Sequence, residues 1–310
     1  MNFEIKKILV PVDFSETANN ALEVALAMAD RHKAEIHLLH VVQAGIFLNP
    51  PGMHGFIPGI EQTLLKDANE NIKKHKTTIL KKHALLLHTY VEIGSVAMSI
   101  SKYVHNNKID IVVMGTHGAS GWSEFFLGSN AMAAIKECAC PVLTVPPSFK
   151  KRTFDSILYP IRNVEGVMGK YDYVKPIIEK NEASIYLLGL AHVGEDYEAG
   201  LLGNQLKAVR EAIQHNNKYI DYETHQCENI AAKVLEVAHR RKDDIMIINA
   251  TLDKAWYKFF SGSYTQQIVN HSKIPVLSVK PSLSPRLIKE REQFLVTEAQ
   301  HYFPLTMQTI

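Results

Sequence analysis

Gly115, Gly118, Gly128 and Ser129 stand in MGTHGASGWSEFFLGSN as G-x2-G-x9-G-S, directly after the apolar run from Ile109 to Met114. The run reads as a buried strand, the glycines as a loop, and Ser129 as the cap of a helix beginning at Asn130. Such a loop exposes backbone N–H groups with no side chain in the way, and the helix N-terminus adds partial positive charge. Together they make an anion site suited to phosphate. A second element supports it. KKILVPVDFSE, residues 6–16, carries an apolar strand straight into Pro11 and Asp13 just before the first helix.

Glycine spacing alone is weak evidence, but the two elements in this order resemble the nucleotide-binding branch of the universal stress protein family. The shared pattern is a first strand ending in Asp, a fourth strand followed by G-x2-G-x9-G-[ST], a helix, and a closing strand of the form PVL. Here that strand is Pro141-Val142-Leu143-Thr144-Val145. The resemblance implies ATP, or ADP or AMP, in the first half with Mg²⁺ or Mn²⁺ on the phosphates. Carried over by motif position, Asp13 meets the ribose or metal–phosphate region. Pro11 and Val41 lie near the adenine, with Val41 offering backbone hydrogen bonds, and Met114, at the end of the fourth strand, is also a cofactor-binding position. Gly115 and Gly118 let the chain turn close to the ligand. His117 touches the polyphosphate, and Gly128, Ser129 and Asn130 present donors to it. The alternative for Asp13 is a plain helix cap in Asp13-Phe14-Ser15-Glu16-Thr17. No metal ligand can be named.

What is missing bounds the chemistry. There is no G-x4-G-K-[ST], hence no lysine of that loop to neutralise a transferring phosphoryl group, and no HExxH. No Ser-His-Asp arrangement can be argued. The expectation is a binding protein with at most weak ATP hydrolysis and no catalytic residue to name. A net charge of +2 gives no electrostatic case for nucleic acid or an anionic membrane. No apolar run reaches the roughly 18 residues a membrane span needs. The start of the chain enters a strand at once, without a secretory apolar segment, and three cysteines cannot form a disulfide framework. The chain reads as cytoplasmic.

A length of 310 residues favours two domains, and the two halves match each other. Lys7–Val12 corresponds to Ser156–Ile161, Leu38–Val41 to Leu187–Leu190, Asp110–Met114 to Asp244–Ile248, and Pro141–Val145 to Pro275–Val279. The offset is 149 residues early and 134 late, so the second copy lacks 15 residues, in the region of the loop between Gly45 and Gly59. Each half alternates β-rich runs with helical patterns, the signature of a parallel sheet. Strands are expected near 7–13, 35–42, 88–93, 109–114 and 141–145, then 156–161, 183–190, 219–225, 244–249 and 275–279. Helices are expected after Ser15, over 60–86 and over 96–106 with Ser95 as cap. The domains read as 1–147, 153–282 and a tail 283–310.

The resemblance adds a strand order of 3-2-1-4-5 in each α/β, Rossmann-like half, which makes strands one and four neighbours at the winding switch where ligands bind. It also implies that the two fifth strands pair antiparallel as a pseudo-twofold intramolecular dimer, joining two five-stranded sheets into one of ten. Further self-association is open, from monomer to homodimer, and protein partners are unknown. In the second half Arg162 replaces Asp13, Asn249 replaces Gly115 and Leu252 replaces Gly118, so that site reads as eroded. An interaction scaffold, with nucleotide incidental or absent, is the competing function.

Other features have plainer readings. His32, His37 and His40, or His83 and His88, lack the helical spacing that makes a zinc site persuasive, and read as solvated or satisfied. His37 and His40 fall on opposite faces of one strand. Cys138 and Cys140 read as small core residues, with a C-x-C metal pair as the alternative. Phe125-Phe126 and Phe259-Phe260 mark either a partner surface or a cover for the loop.

Overall fold

The computed structural model describes residues 3–43, 59–116, 128–164, 169–194, 196–214, 220–250 and 263–280. The first half runs β1 (Lys7–Pro11), α1 (Glu16–His32), β2 (Glu35–Val42), α2 (Ile60–Leu80), β3 (Leu87–Ile93), α3 (Val96–Asn107), β4 (Ile111–Gly115), α4 (Ser129–Glu137) and β5 (Val142–Val145). The second runs β6 (Ser156–Arg162), α5 (Gly169–Asn181), β7 (Ser184–Ala191), α6 (Asp196–Gln214), β8 (Ile220–Gln226), α7 (Ile230–Arg241), β9 (Ile245–Asn249), α8 (Tyr264–His271) and β10 (Val276–Val279). The strands form one ten-stranded sheet, β3-β2-β1-β4-β5-β10-β9-β6-β7-β8. Each half therefore has the order 3-2-1-4-5.

Strand neighbours within each half are parallel, and such strands are buried on both faces, which is why they read as continuous apolar runs. One apolar layer joins α1, α2, α5 and α6 to the sheet, and the other joins α3, α4, α7 and α8. In α1, Ala18, Ala21, Leu22, Ala25 and Ala29 recur at helical spacing and are all buried. Ser15 caps this helix, its Oγ accepting from Ala18 N at 3.1 Å. The helices after β1, β3 and β8 end on Lys33, Lys108 and Lys242 in left-handed conformation, at positions where glycine is commonest. Each cap N–H turns back onto a carbonyl of the last turn, so those orphan acceptors are satisfied.

α2 stops at Leu80 rather than continuing to residue 86. The chain turns there, with Lys82 N and His83 N both bonding to Ile79 O, because β3 must begin at Leu87 beside Ile36. Ser95 occupies the cap position of α3 without a side-chain bond. Cys138 and Cys140 are core residues, and burial pushes the Cys138 thiol up to about 12 and Cys140 well above its ordinary value. Among the described residues no helix is long and apolar enough to cross a membrane.

The junction between halves is the antiparallel pair β5–β10, with Val142 opposite Ser278, Leu143 opposite Leu277 and Thr144 opposite Val276. Both leucines are fully buried, and Thr144 Oγ1 donates to Val276 O at 3.3 Å. Two further ties cross it. Lys280 Nζ donates to Cys138 O at 2.8 Å, and Lys151 Nζ meets Asp244 Oδ1 at 2.6 Å. Asn20 in α1 holds the connecting segment, its Nδ2 donating to Pro146 O and Phe149 O. Since Leu143 lies in the seam shared by both halves, Leu143→Lys is expected to destabilise the whole chain by about 3 kcal/mol or more in urea denaturation. A midpoint within error of the parent protein would contradict that.

Candidate functional site

β1 and β4 pair through Ile8–Ile111 and Leu9–Val112, and their carboxyl ends mark the winding switch, the place where open parallel sheets bind ligands. Pro11 ends β1, and Val12 N still bonds to Leu39 O at 2.8 Å. In β2 the odd-numbered residues turn their backbone toward β1, as Glu35 N to Lys6 O and Leu39 O from Val12 N show. The even-numbered ones turn toward β3, as Ile36 N to Leu86 O shows. Val41 thus directs its backbone groups to the β1 side, one step past the last of those bonds.

Asp13 is exposed at the turn into α1, and its Oδ1 accepts from Ser15 N at 3.0 Å. The cap of α1 is Ser15, so the plain-cap alternative for Asp13 does not hold. Between them Phe14 has φ 63, a left-handed backbone unusual for an aromatic residue. Its ring packs on His40 at 4.7 Å and on His75 at 5.7 Å, and His40 Nδ1 lies 2.7 Å from Val12 O. The strained residue is thus pinned, and Asp13 with it.

At the end of β4, Met114 is buried, and half-buried Gly115 pairs with Val145. Thr116 N bonds to Val145 O, and Thr116 O accepts from Gly128 N at 2.8 Å. That bond ties the two ends of the glycine loop, bringing Gly115 and Gly128 to one place. His117 and Gly118 lie outside the described residues, as do Phe125, Phe126, Phe259, Phe260, Leu252 and the tail 283–310. The expectation that Ser129 caps α4 is corrected. Gly128 is the cap residue, and Ser129 is the first residue of the helix. The cap residue itself is a glycine with no side chain to offer the first-turn N–H groups, so α4 has no side-chain cap bond. Ser129 is exposed and Asn130 half-buried at this terminus.

The second half repeats the backbone and alters the site. Ser263, matching Ser129, does cap its helix, with Oγ accepting from Gln266 N at 3.3 Å. Arg162, matching Asp13, lays its guanidinium 3.6 Å from the ring centre of buried Tyr264, which matches Asn130. Lys170, matching Ala21, is fully buried in α5. Its amine donates to Pro160 O of β6 and, at 3.4 Å, to Ile247 O of β9. It therefore spans β6 and β9, which correspond to β1 and β4 of the first half.

Sequence reasoning missed two features that the repeat could have shown. One is Lys170, a lysine where the partner helix has an apolar-face alanine. The other is a matched pair of aspartates. Asp110 Oδ2 accepts from Lys6 N and Lys7 N at 2.8 Å, and Asp244 Oδ2 from Asp155 N and Ser156 N at 3.0 and 3.2 Å. Each clamps the entry to its half's first strand.

The model of the Universal stress protein family matches residues 4–146. Universal stress protein MJ0531 of Methanocaldococcus jannaschii is 33% identical over 140 residues, covering 45% of this chain and 81% of its own length. MJ0577 of the same organism is 31% identical over 161 residues, covering 47% of this chain and 97% of its own. The chain belongs to the universal stress protein family. A universal stress protein crystal structure from Archaeoglobus fulgidus covers 90% of this chain and 97% of its own with a TM-score of 0.69. At 18% identity that likeness speaks for the two-copy fold alone.

Within this universal stress protein, burial holds Lys170 well below the ordinary lysine value of 10.5, with Arg162 adding repulsion. The unfolded chain then takes up a proton below 10.5 that the folded amine refuses, so folding stability falls as pH drops from about 10 toward 7. Urea titrations at pH 7 and 9.5 should show this slope in the parent protein and its loss in Lys170→Met. Parallel pH dependences in the two proteins would contradict it.

Proposed function

We propose that the chain is a nucleotide-binding regulatory protein of the stress response, holding ATP or a related adenine nucleotide in its first half only. The observation that carries this reading is the contrast between the two crevices. In the first, α4 begins without a side-chain cap, the ends of the glycine loop are tied by Gly128 N and Thr116 O, and Asp13 follows β1, the strand beside β4. Free N–H groups at a helix start suit a phosphate. In the second, Lys170 bridges the strands, Arg162 stacks on Tyr264, and Ser263 occupies its own helix terminus.

Within this reading Pro11, Val41 and Met114 border the base, and Asp13 faces the ribose or a phosphate-bound Mg²⁺ or Mn²⁺. Gly115 with Gly118 allows close approach. Gly128, Ser129, Asn130 and His117 meet the phosphates. Residues 1–147 form the nucleotide-holding unit in this reading, and the family model matches 4–146 within it. The scaffold reading has one observation of its own. A largely apolar cavity of about 860 Å³ lies on the second half, between the connecting segment Ser148–Lys151, α7 at Leu235 and His239, and Ile274.

Calorimetry with ATP and AMP tests the proposal. One equivalent is expected, with Asp13→Ala and Gly115→Val each weakening it by at least about tenfold, the equivalent of 1.4 kcal/mol. Lys170→Met should leave the stoichiometry at one. Failure of both nucleotides to bind the parent protein would overturn the proposal and leave the scaffold reading standing.

A further inference from the structure

At the amino-terminal edge of the sheet, opposite the nucleotide crevice, Glu35, His37 and His88 converge. Glu35 and His37 are two apart on β2 and so share a face. The β2–β3 register sets His88 directly opposite His37, and the two rings stack with centroids 4.6 Å apart. His88 Nε2 lies 2.9 Å from Glu35 Oε2, and His37 Nε2 lies 3.7 Å from Glu35 Oε1. One ligand atom from each residue falls within 4.8 Å of the others.

The decisive atom is His37 Nε2. His37 is 5% exposed, and this nitrogen is buried with no hydrogen-bond partner. An orphaned buried imidazole nitrogen is costly unless something else satisfies it. The other ring nitrogen, Nδ1, is held 3.0 Å from Tyr103 Oη of α3, whose ring also packs on Tyr90. Orientation through the second nitrogen is the usual arrangement around a metal-binding histidine.

We propose that Glu35, His37 and His88 bind a divalent zinc-class cation, with water in the fourth position. Ligand atoms about 2.05 Å from a tetrahedral ion lie roughly 3.3 Å apart, so small side-chain rotations complete the site. Lys7 is the opposing charge, with Nζ 3.5 Å from Glu35 Oε1. Its side chain is 38% exposed and can swing into water when the ion enters. In the second copy the matching positions of β7 are Ser184 and Tyr186, and Asp221 stands opposite Tyr186, so the set belongs to the first half alone.

Calorimetry with ZnCl2 on the chelator-stripped, nucleotide-free full chain tests this. The parent protein should bind one equivalent that His88→Gln and Glu35→Gln each weaken by at least about 30-fold, and Tyr103→Phe by about tenfold. Lys7→Gln should tighten binding, an effect that a merely structural cluster would not show. Co²⁺ in the same site should give a four-coordinate visible spectrum with no thiolate band, which excludes the cysteines. The His88 side chain is 45% exposed, so its variant is expected to keep the fold, and circular dichroism checks that. No stoichiometric zinc in the parent protein, or equal affinity in the His88 and Glu35 variants, would overturn the proposal.

Discussion

Four-residue strands hold this molecule together. β5 and β10 are each the edge of a parallel sheet, apolar and complete in hydrogen-bonding potential, and neither can face water without inviting another chain. Their antiparallel pairing removes both edges at once and makes one sheet from two. It also buries Leu143 against Leu277, so the two cores are joined across each face of the sheet rather than merely tethered. The relation between the two crevices, and the path of the connecting segment held by Asn20, follow from that seam.

On this nearly symmetric frame the two halves solve the same local problem differently. At a winding switch the carboxyl ends of two neighbouring strands and a helix start come together, the usual place for a ligand. In the second half the chain supplies its own partners: the Lys170 amine for two carbonyls, the Ser263 hydroxyl for the helix, and Tyr264 beneath Arg162. In the first half the corresponding residues are Ala21, Ser129 placed inside the helix, Asn130 and Asp13. Where α1 has Ala21, α5 has a lysine whose buried amine is held by its two carbonyl acceptors.

The two edges of the first half also differ in kind. Its carboxyl edge carries turns, glycines and a helix start. Its amino edge carries side chains projecting from paired strands, Glu35, His37 and His88, fit for a small cation. Strands position side chains more rigidly than loops do, and the sheet lies between the two groups.

Strand positions, the repeat and the α/β class were legible in the sequence, because each is written in local order: apolar runs, and the helical spacing of alanines in α1. Local order also misled in small ways. Ser129 looks like a cap by residue type, but Gly128 O already accepts from Met132 N, so the helix starts one residue earlier. α2 stops before its polar pattern does, because β3 has to reach Ile36. The tertiary structure alone decided that His37 meets His88 rather than His40, since the two lie 51 positions apart and are joined only by the β2–β3 register. It alone decided that Lys170 lies across two strands, since its acceptors Pro160 and Ile247 belong to strands far apart in the chain. Spacing reports which residues share a face of one element, whereas a site with members on several elements exists only once the strands have chosen their neighbours.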